Sequence, residues 1–232
     1  VTCIAHCRYA SESTSAPSAT AASSSADSTW VSAPAVEIVP AHWRDLGQLV
    51  AMEADGNDGI LVTTLRPHIV WGPGDTQLVE RIVERGRKGT MPLLDRGMAL
   101  IDTTYIDNAA EAFVAALERI EDVHGESFVI TNGEPRTVRD FVVGLCDAAG
   151  VSRPRITVPG PLARVAGRVI EKAWELRPGY DEPPMTEFLA EQLSTAHWFD
   201  QRRTCERLQW KPRVSMDEGF AKLKAYYDKA RD

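Results

Sequence analysis

Residues Leu65 to Asp75, LRPHIVWGPGD, hold the densest group of side chains able to do chemistry in this 232-residue chain. The apolar and β-branched run Gly59-Ile-Leu-Val-Thr-Thr-Leu-Arg-Pro predicts a buried strand, and Gly72-Pro73-Gly74 predicts a tight turn that opens a helix. Strand, turn and helix in that order place the strand end at a sheet edge able to face a cofactor. A dinucleotide site also needs a phosphate cradle, and the sixteen glycines give no GxGxxG or GxxGxxG spacing. A Tyr and a Lys one helical turn apart could act as a general acid/base, because the ammonium stabilises the phenolate. Here Tyr9, Tyr105, Tyr180, Tyr226 and Tyr227 are followed four residues later by Ser, Ala, Pro, Ala and Arg, so no such pair exists. Cys3-Ile-Ala-His6-Cys7 gathers three metal-ligating side chains, yet no second cluster completes a tetrahedral set. His42, His68, His124 and His197 are scattered, and no metal site is expected.

The elements that must position these residues begin near residue 59. Asp75 or Thr76 caps a helix with the apolar face Leu78, Val79, Ile82 and Val83. Asp107 or Asn108 starts a second, with Ala110, Phe113, Val114, Leu117 and Ile120 at helical spacing. Glu126 to Thr131 reads as a strand closed by Asn132-Gly133-Glu134-Pro135. Thr137-Val-Arg-Asp140 and Ser215-Met-Asp-Glu218 are capping boxes, the first leading to a stop at Gly150 and the second opening a C-terminal helix through Phe220, Leu223 and Tyr226. Upstream, nineteen of the twenty-five residues from Ser11 to Ala35 are Ser, Thr or Ala, too few large side chains to offset the entropy of ordering. The chain therefore divides into a Ser/Ala-rich segment, 1–58, expected to be disordered or non-native, and a folded α/β part, 59–232. For the first segment two readings stand: a flexible linker, or a stretch above about Met52 whose reading frame is not the ancestral one.

Composition narrows the partners. A net charge of −7 gives no general attraction to phosphate backbones, so nucleic acid is not an expected partner. Cys3, Cys7, Cys146 and Cys205 show no framework spacing, which suits reduced thiols in the cytoplasm. No apolar run approaches the roughly 20 residues of a membrane span. Residues 161–176 predict a helix with Leu162, Val165, Ala166, Val169, Ile170 and Ala173 on one face and Arg164, Arg168 and Lys172 on another; it packs on the domain or lies peripherally on an anionic membrane.

Four blocks in order carry a resemblance: LVTTLRPHIVWGPGD; Ile101-Asp-Thr-Thr-Tyr-Ile-Asp-Asn-Ala-Ala-Glu-Ala; Phe128-Val-Ile-Thr-Asn-Gly-Glu-Pro; and Glu182-Pro-Pro-Met-Thr-Glu-Phe-Leu-Ala-Glu-Gln-Leu. Over residues 47–232 the chain resembles the 3β-hydroxysteroid dehydrogenase branch of the extended short-chain dehydrogenase/reductases. The resemblance implies a truncated Rossmann-like, doubly wound sheet with a helix-rich C-terminal substrate-binding lobe. It implies NAD or NADP as cofactor and a sterol-like alcohol or ketone as substrate. It assigns Arg66, Pro67 and His68 to the cofactor side, with backbone amides near the nicotinamide carboxamide, and Trp71, Asp102 and Tyr105 to the substrate cleft. Read from the residues alone, Trp71 as core and Tyr105 as a buried donor remain open. Counting back along the family pattern places the Tyr and Lys positions at Val39 and Trp43, so no catalytic pair carries over and an inactive chain is expected. A non-catalytic remnant or interaction module that keeps the substrate-side fold is the alternative. A missing half-sheet leaves an apolar edge, and self-association is expected from it.

Overall fold

Val62, Thr63, Thr64 and Leu65 are almost wholly enclosed, so the predicted strand is buried on both faces, as strands between covering layers are. The computed structural model describes residues 3–8, 41–163, 165 and 195–231, with side chains from residue 47 onward. The elements in chain order are β1 (Cys3–Arg8), α1 (Ala41–Glu53), β2 (Ile60–Pro67), β3 (Val70–Trp71), α2 (Val79–Arg87) and β4 (Pro92–Leu94). Next come β5 (Leu100–Ile101), β6 (Thr104–Tyr105), α3 (Ile106–Glu118), α4 (Ile120–Val123), β7 (Ser127–Ile130), β8 (Arg136–Thr137), α5 (Val138–Ala149) and β9 (Ile156–Val158). Among the described residues of the C-terminal part follow α6 (Arg202–Leu208) and α7 (Met216–Lys229).

β2 is the centre of a sheet ordered β1-β2-β7. It runs parallel to β7, with Pro67 opposite Ile130, and antiparallel to β1, with Cys3 opposite Leu65. β3 with β6 and β4 with β9 are further parallel pairs. Parallel strands linked through helices make this an α/β architecture of the doubly wound kind. Within the segment 1–58, residues 3–8 thus form an edge strand and 41–53 a helix, while Ser11 to Ala35 and position 39 lie outside the described residues. So do the block 182–193 and most of the basic amphipathic stretch 161–176, of which Leu162 and Val165 are exposed and Ala163 is buried beside Leu94.

Local rules account for the helix ends. Asp75 Oδ1 accepts from the amides of Gln77 and Leu78, and Oδ2 from Val79, which fixes the start of α2. Thr137 Oγ1 accepts from Asp140 N at 3.0 Å and Ser215 Oγ from Glu218 N at 3.2 Å, as the capping boxes predict. Gly150, at φ 68°, ends α5 in the left-handed conformation that glycine adopts without strain.

The packing of α3 differs from the spacing argument. Its buried face is Asn108, Ala109, Ala112 and Ala116, whereas Val114 and Leu117 are 55% and 48% exposed. Small residues let the helix approach the sheet closely, and Ala112 and Ala116 sit in one core cluster with Leu65, Phe128, Ile130, Leu208 and Trp210. The helix begins at Ile106 with no side-chain cap, and the amide of Tyr105 before it is held by Asn132 Oδ1 at 3.0 Å. A second cluster lies among α2, α5 and α7, where Trp71, Val83, Phe141, Leu145 and Leu223 meet. On α7 it is Tyr227 that packs on this cluster, while Tyr226 is 45% exposed.

Candidate functional site

The C-terminal ends of β2 and β7 lie side by side, and the chain leaving them carries His68 from one and Thr131-Asn132-Gly133-Glu134 from the other. β5 delivers Asp102 to the same place. A downstream segment threads alongside it, with Asp102 N donating to His197 O at 2.9 Å and His197 N donating to Leu100 O at 2.7 Å. Crevices outside the carboxyl ends of parallel strands are where open α/β sheets bind ligands.

Asp102 is fully buried. Its Oδ2 accepts from the Thr131 hydroxyl at 2.8 Å, while Oδ1 has no hydrogen-bond partner among the described residues. Burial pushes the carboxyl above its ordinary range, against the opposing pull of the Thr131 hydroxyl, the amides of Glu134 and Gly133, and His68. The Gly133 amide donates to Thr131 Oγ1 at 3.2 Å.

His68 joins Asp102 through the main chain, with Nδ1 placed 2.6 Å from the Asp102 carbonyl oxygen. A carbonyl only accepts, so Nδ1 carries the proton and Nε2 is left as the acceptor. Burial holds the imidazole below its usual pKa; the Asp102 carbonyl opposes this, and the neighbouring His197 adds to it. Phe199 packs edge-on against the ring at 5.0 Å between centroids. Ile69, immediately after, sits at φ 46°, a strained conformation for a β-branched residue that persists only where its surroundings hold it. Thr104 does the holding: its amide donates to Ile69 O at 3.1 Å and its hydroxyl reaches both His68 O and Ile130 O at 2.8 Å.

The six residues assigned from sequence are therefore distributed unevenly. His68 and Asp102 meet, with Pro67 beside them. Arg66 is exposed, and its guanidinium donates to Gln48 Oε1 on α1. The His68 amide donates to Ile130 O at 3.0 Å and Pro67 has none, so at those positions no main-chain donor is left for a carboxamide. Trp71 and Tyr105, 1% and 2% exposed, stack edge to face at 5.3 Å inside the core, and the Trp71 indole donates to Thr103 Oγ1 at 3.0 Å. Of the two readings open for Trp71, the structure gives the core one. It touches the site from behind, through Thr103, the neighbour of Asp102.

Sequence reasoning missed Thr131, His197 and Gln201. Thr131 reads in the sequence as the end of a strand and as part of a family block, with no signal of its own for a site. Gln201, whose Oε1 accepts from Thr131 N at 3.4 Å, lies seventy positions downstream with no local signal. Asn108 and Asn132, also missed, lock the surroundings. Asn132 Oδ1 accepts from Asn108 Nδ2 at 2.9 Å, both side-chain amides donate to Val214 O, and Asn108 Oδ1 accepts the amides of Arg213 and Val214.

Residues 42–160, half of the chain, match the 3-beta hydroxysteroid dehydrogenase/isomerase family. The chain is 42% identical over 173 residues to the 2-alkyl-3-oxoalkanoate reductase of Stenotrophomonas maltophilia (strain K279a), covering 73% of this chain and 52% of that protein. It is 32% identical over 184 residues to the 3beta-hydroxysteroid-dehydrogenase/decarboxylase isoform 2 of Arabidopsis thaliana, covering 75% and 33%. Among solved structures, the crystal structure of gox2253 superposes with a TM-score of 0.57 at 20% identity, covering 79% of this chain and 54% of that one, a likeness of fold. This chain spans about half the length, or less, of these relatives. The α/β sheet with its parallel pairs is thus of the Rossmann-like kind. The chain belongs to the 3-beta hydroxysteroid dehydrogenase/isomerase family, whose cofactor is NAD or NADP.

Proposed function

We propose that this chain carries the substrate-side half of an NAD(P)-dependent oxidoreductase that acts on the CH–OH group of a 3β-hydroxysteroid or a similar apolar alcohol or ketone. The observation that carries this reading is the buried Asp102, joined to His68 and Thr131 at the carboxyl ends of a parallel strand pair, in a chain of this family. The relatives' names support the substrate class: one reduces a 2-alkyl-3-oxoalkanoate, another is a 3β-hydroxysteroid dehydrogenase. In this reading Pro67, His68 and Asp102 face the ligand, Arg66 rims the crevice, and Trp71 and Tyr105 brace it from the core. The free thiols Cys146 and Cys205 support a cytoplasmic setting.

The dinucleotide as a whole does not fit the residues present. These 232 residues contain no Gly-rich phosphate loop, and the His68 amide is committed to β7. The chain by itself is expected to bind NADH weakly and turn over nothing. Titrating NADH fluorescence with the purified chain checks this, and saturable micromolar binding would show the inactive reading wrong. Joining residues 47–232 to the N-terminal half of the Stenotrophomonas maltophilia reductase is expected to restore dinucleotide-dependent conversion of 2-alkyl-3-oxoalkanoates or 3-oxosteroids. A folded chimera inert toward both would leave the non-catalytic module as the better reading.

A further inference from the structure

Buried polar atoms without a partner are rare in folded proteins, because each costs the desolvation it never recovers. Asp102 Oδ1, His197 Nε2 and Gln201 Nε2 are such atoms among the described residues. They belong to one hydrogen-bonded chain. Thr131 donates its hydroxyl to Asp102 Oδ2 at 2.8 Å and its amide to Gln201 Oε1 at 3.4 Å, and the Asp102 amide donates to His197 O at 2.9 Å. The Gln201 side chain also lies against Gly133, whose amide donates to Thr131 Oγ1 at 3.2 Å.

The unmet capacities are complementary. Asp102 Oδ1 can only accept when ionised, and Gln201 Nε2 can only donate. A ligand group that satisfies both must donate and accept at one atom, be neutral and be small. An alcohol hydroxyl does this; a ketone lacks the proton for Asp102, and a carboxylate is repelled by it. We propose that Asp102, Gln201 and His197 form a binding subsite for a ligand hydroxyl, with the Phe199 and His68 rings as the wall for its carbon skeleton. The assignment deepens the reading above and rests on it for the ligand's being an apolar alcohol. None of these side chains needs to transfer a proton: they hold and orient the oxygen.

The test uses the full 232-residue chain and no dinucleotide. Imidazole signals of His68 and His197 are followed by NMR at about pH 8, where an ordinary carboxylate is ionised, during titration with cyclohexanol and with cyclohexanone. The alcohol is expected to shift both histidines and to bind about tenfold more tightly than the ketone, the scale of one hydrogen bond to a charged group. Gln201→Leu, at a partly buried position, should weaken alcohol binding by a similar factor without unfolding the chain. Asp102→Asn should reverse the preference, because the Thr131 hydroxyl retains the amide oxygen in the place of Oδ2 and turns an N–H₂ donor to where Oδ1 stood. Equal affinity for the two probes in the unaltered chain would overturn the subsite, and so would histidine shifts that neither substitution changes. An inert chimera with the alcohol preference intact counts against the enzymatic reading alone; an active chimera without that preference counts against the subsite alone.

Discussion

Asn108 makes four hydrogen bonds from a fully buried amide, two as acceptor and two as donor, and each partner is a main-chain group or Asn132. Replacing it with Ala leaves those buried groups unpaired, so a loss of about 3 kcal/mol is expected, read from urea denaturation midpoints. A loss below about 1 kcal/mol would mean that the segment around Val214 is held by something else. His68 sets a second prediction, on pH. Its folded pKa lies below the ordinary 6.5, so the unfolded chain binds a proton that the folded chain resists. Stability should then be full above about pH 7.5 and fall as pH drops through 6.5 toward the folded value. The Asp102 carboxyl, raised from 3.8, acts with the opposite sign, removing stability as pH rises from 3.8 through its folded value. In His68→Gln, which keeps a donor for the Asp102 carbonyl, the decline as pH drops below 6.5 should flatten. An identical decline in both proteins would place its origin elsewhere.

At the scale of elements, α5 and α7 meet through a glycine. A Cβ at Gly144 would lie 2.6 Å from the Phe220 ring, and Phe220 in turn packs on Trp71 at 4.9 Å between centroids. Gly219 does the same on the other side, since a Cβ there would come within 2.9 Å of both Trp71 and Tyr105. Gly144→Ala gains about 1 kcal/mol of helix propensity but overpacks this contact, and a net loss of about 1–2 kcal/mol is expected in a thermal or urea melt. If the variant is more stable than the parent, the two helices are less closely packed than described. The start of α7 is held from the site side too: Glu134, beside the turn that carries Thr131, accepts from the Met216 amide at 3.3 Å. The helical C-terminal part is thereby fastened to the loop that shapes the Asp102 recess.

For the whole molecule, the edge of β2 opposite β7 is the sensitive surface. β1 covers it by antiparallel pairing from Cys3 opposite Leu65 to Arg8 opposite Ile60. An uncovered edge strand presents free amides and carbonyls to any other chain. Deleting residues 1–10 is therefore expected to produce concentration-dependent self-association, seen as a rising mass in light scattering coupled to size exclusion. A truncated chain that stays monomeric across the concentration range would show that the edge is protected in another way.

Local chemistry explains what the sequence determined by itself. The Asp75, Thr137 and Ser215 caps and the Gly150 stop rest on hydrogen bonds that span four positions or fewer, and the β2 strand and the family blocks are legible as runs of adjacent residues. The absence of a Tyr–Lys pair was equally readable, because spacing on one helix is a sequence property. The face of α3 was not, since periodicity marks large apolar residues and the sheet selected small ones for close approach. Nor was the recess at Asp102. Thr131 stands twenty-nine positions from Asp102 and seventy from Gln201, and only chain closure between the ends of β2 and β7 brings them together. The burial that perturbs Asp102 and His68 belongs to that closure, because desolvation is a property of everything packed around a group and of no single stretch of chain.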